Sequence, residues 1–254
     1  MPEESKLELV KAIKAFVDTH HGRRRPLIEW QRLLGWINWA LNAYPLLKPA
    51  LQTSYQKISG KIRPHAPIYL NRDVIHDLSW LSTAIEDSDG ICMLNAVAWD
   101  PKDADLDIFC DATPSRMGFY CPKFNIGFVS STPASTPCTT IFFCEALCVV
   151  SALTWASTLK SLPQRLLIHT DSLNTVEMFH SLKALPMYNN LLLYAVRLLL
   201  LSHISLRVYH IDGLYNTIAD ALSRSLFDMV HSKLPGIAIR LFEPPRDALG
   251  ATLL

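Results

Sequence analysis

A change of hydrophobic period at residue 105 constrains the fold of this chain more than any other feature. Up to that point apolar residues recur every three or four positions, a spacing typical of helices. Beyond it, the runs DLDIFCDAT, RMGFYCP and NIGFVSS read as strands and are separated by short turns. A meander of three strands is therefore predicted to begin near residue 105.

The rest of this region alternates helices with strands. A long helix is predicted over TIFFCEALCVVSALTWAS, and RLLIHTDS is an unbroken apolar strand of the kind that is buried on both faces. Helices around 172–184 and 188–202, a strand over 206–212 and a helix over NTIADALSRS follow. This order predicts an α/β domain in which a mixed five-stranded sheet is flanked by helices.

The front of the chain is predicted to be helical. Residues 5–18, 27–51 and 71–86 show helical spacing of apolar residues, and Pro45 and Pro49 should stop the second helix. Four segments are therefore expected: a helical segment over 1–66, a linking helix and loop over 67–104, the α/β domain over 105–225, and a tail without clear pattern over 226–254.

Charge is divided unevenly along the chain. Residues 1–65 carry 11 Lys/Arg against 5 Asp/Glu, and the remaining residues carry 13 against 18, so the front has a net charge of +6 and the rest −5. A basic front beside an acidic remainder suggests an anion-binding arm next to a site that gathers cations. Arg23, Arg24 and Arg25 are candidates for contacts to a phosphate backbone. A solvated basic turn is the alternative.

Several classes of protein are disfavoured by the sequence. The six cysteines form no CxxC pair and have no histidine at zinc-finger spacing, which argues against a zinc site and a disulfide framework. The charged start lacks the apolar core of a signal peptide, and the apolar run over 191–204 contains Arg197 and is too short to span a bilayer. We therefore expect an intracellular protein, cytoplasmic or nuclear, with no membrane partner.

Four acidic residues lie at the ends of apolar elements or within them. Asp111 and Asp171 each close a predicted strand, Glu145 lies early in the long helix, and Asp220 interrupts the apolar face of the last helix. In an α/β sheet, such ends face one crevice. A single acid of this kind is usually a helix cap or a turn residue. Four in one domain predict a shared site.

Such a cluster of carboxylates predicts bound metal. Like charges within a few ångströms repel strongly in a cleft of low dielectric constant, and divalent cations among them offset that repulsion. Oxygen ligands suit Mg²⁺ or Mn²⁺ rather than zinc. Two such ions roughly 3.5–4 Å apart activate a water and stabilise the leaving oxygen in phosphodiester cleavage. A metal would also offset the charge of Asp220 beside its apolar neighbours.

These acidic motifs resemble the ribonuclease H domain of gypsy-type and DIRS-like retrotransposon reverse transcriptases. FCDAT…MGFY, CEALCVVSAL, HTDSLNTV and HIDGLYNTIADALSR are similar to its four acidic motifs, in the same order, over residues 105–225. The resemblance implies a ribonuclease H-like fold that cleaves the RNA strand of RNA–DNA hybrids with two Mg²⁺ (or Mn²⁺) ions. The catalytic residues and metal ligands that it implies are Asp111, Glu145, Asp171 and Asp220.

The front half adds to this resemblance. LIEWQRLLGWINWALNAYPLLKPAL is similar to the helical connection segment that precedes ribonuclease H in these polyproteins. No Tyr/Phe-x-Asp-Asp polymerase motif occurs in the chain. The resemblance therefore covers the back end of a polymerase without its palm, and it implies a reverse transcriptase polymerase domain as a partner, in cis or in trans.

Two departures from the family pattern leave alternatives open. Asp212 stands where the family often has proline, and no histidine lies between Gly213 and Asp220 to match the catalytic-loop histidine of longer ribonucleases H. One alternative is a non-catalytic module on the same fold that binds nucleic acid or a polymerase. The other is a different nuclease of this fold, such as an integrase or a resolvase.

Overall fold

A mixed six-stranded sheet organises the second half of the chain. The computed structural model describes residues 1–20, 22–87, 99–133 and 140–249, which divide into two units, Met1–Val97 and Ala98–Leu254. The sheet belongs to the second unit, and its strands lie in the order β7-β6-β3-β4-β5-β8. Their bounds are β3 Leu106–Ala112, β4 Arg116–Cys121, β5 Ile126–Ser131, β6 Arg165–Thr170, β7 Ser205–His210 and β8 Ala238–Leu241.

The directions of the strands give the fold class. Strands β3, β4 and β5 form the predicted antiparallel meander, whereas β6 pairs parallel to β3 and β7 pairs parallel to β6. This mixed sheet, flanked by helices, confirms the predicted α/β class, although it has six strands where the sequence predicts five. The sixth strand was not predicted, since β8 lies in the tail and pairs parallel to β5. Its four residues are mostly exposed, so they carry no apolar alternation that the sequence could reveal.

Helices cover both faces of the sheet. On one face, α5 (Ile141–Ala156), α6 (Leu173–Ser181) and α7 (Pro186–Ser202) contribute to a core with alternate residues of the strands, among them Ile108 and Phe119. On the other, α8 (Thr217–Ser223) and α9 (Phe227–Lys233) pack on Tyr120 and Val129. Helix α5 is apolar around its whole circumference because it is buried on nearly every side.

No single helix among the described residues is long and apolar enough to cross a membrane. Helices α6 and α7 reach the required length and composition only as a pair, and they are bent by 63° at the break between them.

The front unit is built mainly of helices. Two three-residue strands also pair antiparallel within it, with Arg24 opposite Tyr69. They are too short to produce a periodic pattern, so the sequence did not predict them. The elements are α1 Glu3–Val17, β1 Arg24–Pro26, α2 Leu27–Ala40, a 3₁₀ helix Pro45–Leu51, α3 Gln52–Ile58, β2 Pro67–Tyr69 and α4 Arg72–Asp87.

Two helical predictions in the front unit are only partly correct. The helix expected over 27–51 ends at Ala40, because the residue before Pro45 is excluded from helical conformation, and Tyr44 has φ −132° and ψ 60°. In α1, Leu7 is 46% exposed whereas Leu9 is fully buried. Val10, Ile13 and Phe16 follow Leu7 at three-residue spacing and are buried. A strict three-residue spacing rotates by about 60° per step around a helix, so the first of these residues lies off the buried face.

Two glycines allow α8 to lie close against the sheet. A Cβ at Gly118 would lie 2.7 Å from Cβ of Leu222 and 2.8 Å from the backbone nitrogen of Ser223. A Cβ at Gly127 would lie 3.0 Å from Cδ1 of Leu222. The absence of side chains at these positions of β4 and β5 therefore sets the distance between α8 and the strands beneath it.

Replacing Gly118 with alanine should push α8 off the sheet. We expect Gly118→Ala to lower the free energy of unfolding by about 1–3 kcal/mol, the usual cost of inserting a methyl group into packed surroundings. Gly35→Ala is the control, because Gly35 lies in helix α2 with no atom within 4 Å of the added Cβ. The control should gain roughly 0.5–1 kcal/mol. Urea unfolding measures both, and an unchanged free energy in Gly118→Ala would contradict the packing.

Candidate metal centre

Three of the four predicted acids meet where β3 and β6 end. These strands pair parallel with Leu106 opposite Leu166, and continuing that register places Asp111 across from Asp171. Glu145 approaches from α5, which packs on β3. One carboxylate oxygen from each of the three lies within 4.8 Å of the other two. We call Asp111, Glu145 and Asp171 the three-acid group.

Glu145 is held between the two strands. Its Oε1 accepts a hydrogen bond from the backbone N–H of Ala112 at 3.3 Å, and its Oε2 accepts one from the Thr170 hydroxyl at 3.4 Å. The residue is only 6% exposed. Both carboxylate oxygens are thus fixed by groups at the ends of β3 and β6, which sets the orientation of Glu145 toward the other two acids.

Asp111 is held from the opposite side, by helix α8. The hydroxyl of Ser223 donates a hydrogen bond to Oδ2 of Asp111, and both residues are buried. The start of the same helix is tied to β3, because the Nδ2 of Asn216 donates to the backbone carbonyl of Cys110 at 2.8 Å. Helix α8 is therefore fastened at both ends to adjacent residues of one strand.

The structure does not bring Asp220 into the three-acid group. Its side chain is 37% exposed, and its Oδ1 accepts a hydrogen bond from Nε of Arg224 at 2.6 Å. Ala219, Ala221 and Leu222 are buried around it. The interruption of the apolar face is therefore tolerated here through partial exposure and an arginine partner. The negative charge of Asp220 still contributes to the raised pKa of Asp111.

Burial dominates the electrostatics of the group. Desolvation, the largest cause, and the charges of Asp111 and Asp171 together raise the pKa of Glu145 from its ordinary value of 4.5 to about 8. Desolvation likewise raises the pKa of Asp111 from 3.8 to about 6, against the lowering effect of the Ser223 hydrogen bond. The Glu145 carboxyl group therefore resists ionisation at neutral pH unless a positive charge is added nearby.

The ligand set fits a hard divalent cation. Three carboxylates that converge at 4.8 Å or less supply only oxygen atoms, which Mg²⁺ and Mn²⁺ prefer. The buried thiols of Cys110, Cys144 and Cys148 lie in the core of the same unit, and Cys148 Sγ contacts backbone oxygens. Cys92 and Cys138 lie outside the described residues.

The three arginines predicted to contact phosphate, Arg23, Arg24 and Arg25, differ in their hydrogen bonds and exposure. The Arg25 guanidinium donates to the backbone carbonyls of Asp18, Gly22 and Arg24 at 2.5–3.1 Å. It therefore holds the turn before β1. Arg24 is exposed, and Arg23 is exposed with one hydrogen bond of 3.3 Å to the hydroxyl of Tyr69.

The departure at Asp212 has a structural role. Its Oδ1 accepts from the backbone N–H of Leu214 at 3.0 Å, and its carbonyl accepts from that of Tyr215 at 2.8 Å. These bonds close the turn that leads into α8 without a proline. An added Cβ on Gly213 would lie 3.4 Å from Oδ2 of Asp171, so this turn passes directly beside the three-acid group.

Several residues of the site were not predicted from the sequence. Ser223, Asn216, Thr170 and Gly118 each orient an acid or admit the helix that carries one. All four lie inside quoted motifs, but serine, asparagine, threonine and glycine are equally common in caps and turns. Only their long-range contacts distinguish them.

The chain is similar to several solved structures. No protein-family model and no curated protein matches it. It is similar to ribonuclease H1 from the halophilic archaeon Halobacterium salinarum NRC-1, at 14% identity over 49% of this chain and 98% of that chain, with a TM-score of 0.39. It is also similar to the foamy viral protease-reverse transcriptase in complex with RNA/DNA hybrid, at 16% identity over 80% of this chain, with a TM-score of 0.28. This chain covers 26% of that foamy viral chain.

The raised pKa of Glu145 predicts how stability depends on pH. Without metal, the folded protein keeps a proton that the unfolded chain loses above pH 4.5, so stability falls as pH rises from about 4.5 to 8. Glu145→Gln cannot ionise. At pH 8 we expect it to be more stable than the native protein by roughly 1–3 kcal/mol, and nearly equal to it at pH 5.

Urea unfolding in the presence of chelator at three pH values between 5 and 8 measures this difference. Glu177→Gln is the matched control, because Glu177 is exposed on helix α6, and its curve should run parallel to that of the native protein. A parallel curve for Glu145→Gln as well would contradict the assigned burial cost.

Proposed function

We propose that this protein is a ribonuclease H-type nuclease that hydrolyses the RNA strand of RNA–DNA hybrids with two Mg²⁺ or Mn²⁺ ions. The observation that carries the proposal is the three-acid group, whose oxygens lie within 4.8 Å of one another where two adjacent parallel strands of a mixed six-stranded sheet end. Holding three acids this close together, with Asp111 and Glu145 buried and Asp171 exposed, is costly without a cation. A structural role alone does not account for that cost.

The acidic residues of the site would have different roles in metal binding. Asp111, Glu145 and Asp171 would hold the cations, with Asp220 as a fourth ligand. Glu145, which keeps its proton near neutral pH in the metal-free protein, would release it when a cation binds. Two divalent ions supply water activation and stabilisation of the leaving oxygen in such sites. The hybrid would be recognised by its shape and 2′-hydroxyl groups rather than by its sequence.

We further propose that the chain is the ribonuclease H portion of a gypsy-type or DIRS-like reverse transcriptase. The order of the four acidic motifs and the helices of the front unit support this proposal. In it, residues 1–66 correspond to the connection segment, and a polymerase domain acts with the chain in cis or in trans. The proposed products are an RNA strand ending in a 3′-hydroxyl and one beginning with a 5′-phosphate.

One observation favours a second candidate, a non-catalytic module that binds nucleic acid or a polymerase. Asp220 is paired with Arg224 instead of joining the three-acid group. A protein that no longer needs four metal ligands would tolerate such an arrangement. Activity measurements separate the two candidates.

Cleavage of a hybrid tests the proposed function. Purified protein should cut only the RNA strand of a labelled RNA–DNA duplex in Mg²⁺ or Mn²⁺, and chelator should abolish the reaction. Asp171→Asn should lower the rate by more than about 100-fold, because losing even a hydrogen-bond partner of a metal ligand costs ~10–100-fold. Asp228→Asn, which changes an exposed acid of helix α9, should cleave at the native rate.

Two other outcomes of the cleavage assay would each favour a different function. Equal cutting of double-stranded DNA would favour an integrase-like or resolvase-like nuclease. A protein that binds the hybrid but cuts nothing in either metal would favour the non-catalytic module.

The basic front should contribute to affinity through Arg23 and Arg24 rather than Arg25. Replacing Arg23 and Arg24 with glutamine should weaken hybrid binding and flatten its dependence on salt, because fewer counterions are released. Arg25→Gln should instead lower the thermal stability of the front unit, since the Arg25 guanidinium holds three backbone carbonyls. Fluorescence anisotropy at several salt concentrations and thermal melts distinguish these effects. An unchanged salt slope in the double variant would contradict the assignment.

A further inference from the structure

Two consecutive residues at the end of helix α8 each contact one of the acids. The hydroxyl of Ser223 donates to Oδ2 of Asp111, and Nε of Arg224 donates to Oδ1 of Asp220. Ser223 is 1% exposed, whereas the side chain of Arg224 is 59% exposed. Asp111 is therefore held by a buried neutral donor, and Asp220 by a positive charge on a long side chain that is accessible to solvent.

The contact from Ser223 fixes Asp111 in one orientation. The same hydroxyl oxygen lies 2.9 Å from the backbone carbonyl oxygen of Asp220, so it sits between the carboxylate of Asp111 and the helix that carries Asp220. A hydrogen bond to a carboxylate is stronger than one to a carbonyl, which favours donation to Asp111. With Oδ2 occupied in this way, the Asp111 side chain cannot rotate freely away from Glu145 and Asp171.

The contact from Arg224 has the opposite consequence for Asp220. Asp220 lies near enough to Asp111 for its charge to act there, yet it is absent from the three-acid group. The arginine neutralises the carboxylate that a second cation would use. Because an ion pair open to solvent is weak, a divalent cation can displace it.

We infer that Ser223 and Arg224 are positioning residues with opposite effects on metal binding. Ser223 orients Asp111 for the first cation, and Arg224 is the counter-ion of Asp220 that the second cation must displace. This inference rests on the proposed function, because it requires that the acids bind metal. It goes beyond that function in assigning the order of events: Asp111 is ready for metal in the folded chain, whereas Asp220 becomes available only when Arg224 leaves it.

Calorimetric titration of the full chain with Mn²⁺ alone tests the inference without any activity measurement. Ser223→Ala should weaken the tighter binding event by about 10-fold, the usual effect of removing a partner of a metal ligand. Arg224→Gln should tighten the weaker event by about 2–5-fold, the worth of the exposed ion pair that no longer competes. Ser223→Thr and Arg224→Lys, which keep the hydroxyl and the charge, should each move binding back toward the native value.

Matched controls exist elsewhere in the same unit. Ser151 is a buried serine whose hydroxyl donates within helix α5, and Arg165 forms a comparable arginine–aspartate pair with Asp105 at 3.0 Å. Ser151→Ala and Arg165→Gln should therefore bind Mn²⁺ like the native protein. They remove the same groups without touching the four acids.

The outcomes separate failure of the inference from failure of the proposed function. If the native protein binds no Mn²⁺, the metal centre itself is absent and both fail. If it binds Mn²⁺ and folded Ser223→Ala binds equally well, or Arg224→Gln binds more weakly or unchanged, only the positioning roles are overturned. Thermal melts show whether Ser223→Ala is folded. The Arg224 variants change an exposed side chain, so they test the inference even if Ser223→Ala does not fold.

Discussion

The parallel pairing of β3 with β6 is the constraint on which the candidate site depends. Its paired residues run from Leu106–Leu166 to Phe109–His169, so Asp111 and Asp171 each lie two residues beyond the last pair, although 59 residues separate them along the chain. The backbone hydrogen bonds of two central strands hold the carboxylates together, so their mutual repulsion cannot be relieved by moving the strands apart. Glu145 is then fixed by donors at the ends of the same two strands. The geometry of the three-acid group is a consequence of the sheet.

The cost of this arrangement explains its chemistry. Burial raises the pKa values of Asp111 and Glu145 to about 6 and about 8. At neutral pH the Glu145 carboxyl group of the metal-free protein therefore keeps its proton, and cation binding would release it. The same low exposure that makes the acids costly would strengthen their attraction for a cation. A fold that carries such a cluster gains stability from the ligand that it is proposed to bind.

Helix α8 connects this cluster to the fourth acid. It is seven residues long, too short to be stable by itself, and its place depends on Gly118, on Asn216 at its start and on Ser223 at its end. The helix thus brings a hydroxyl to Asp111 and carries Asp220 alongside. Arg224, one residue further, keeps Asp220 neutralised. Small changes at the end of this helix therefore act on two carboxylates at once.

The sequence by itself determined the α/β class, the meander, most helices of the second unit and the identity of the three acids that the structure brings together. Those features are local, since apolar periodicity and the position of an acid at the end of a run can be read within about ten residues. The tertiary structure decided the rest. Strand β8 pairs with β5 without a periodic signal, and the grouping of Asp111, Glu145 and Asp171 without Asp220 arises from contacts between distant elements. Serine, glycine and asparagine at the site look like ordinary turn residues until distant strands are brought beside them, because their roles arise from close approach rather than from residue type.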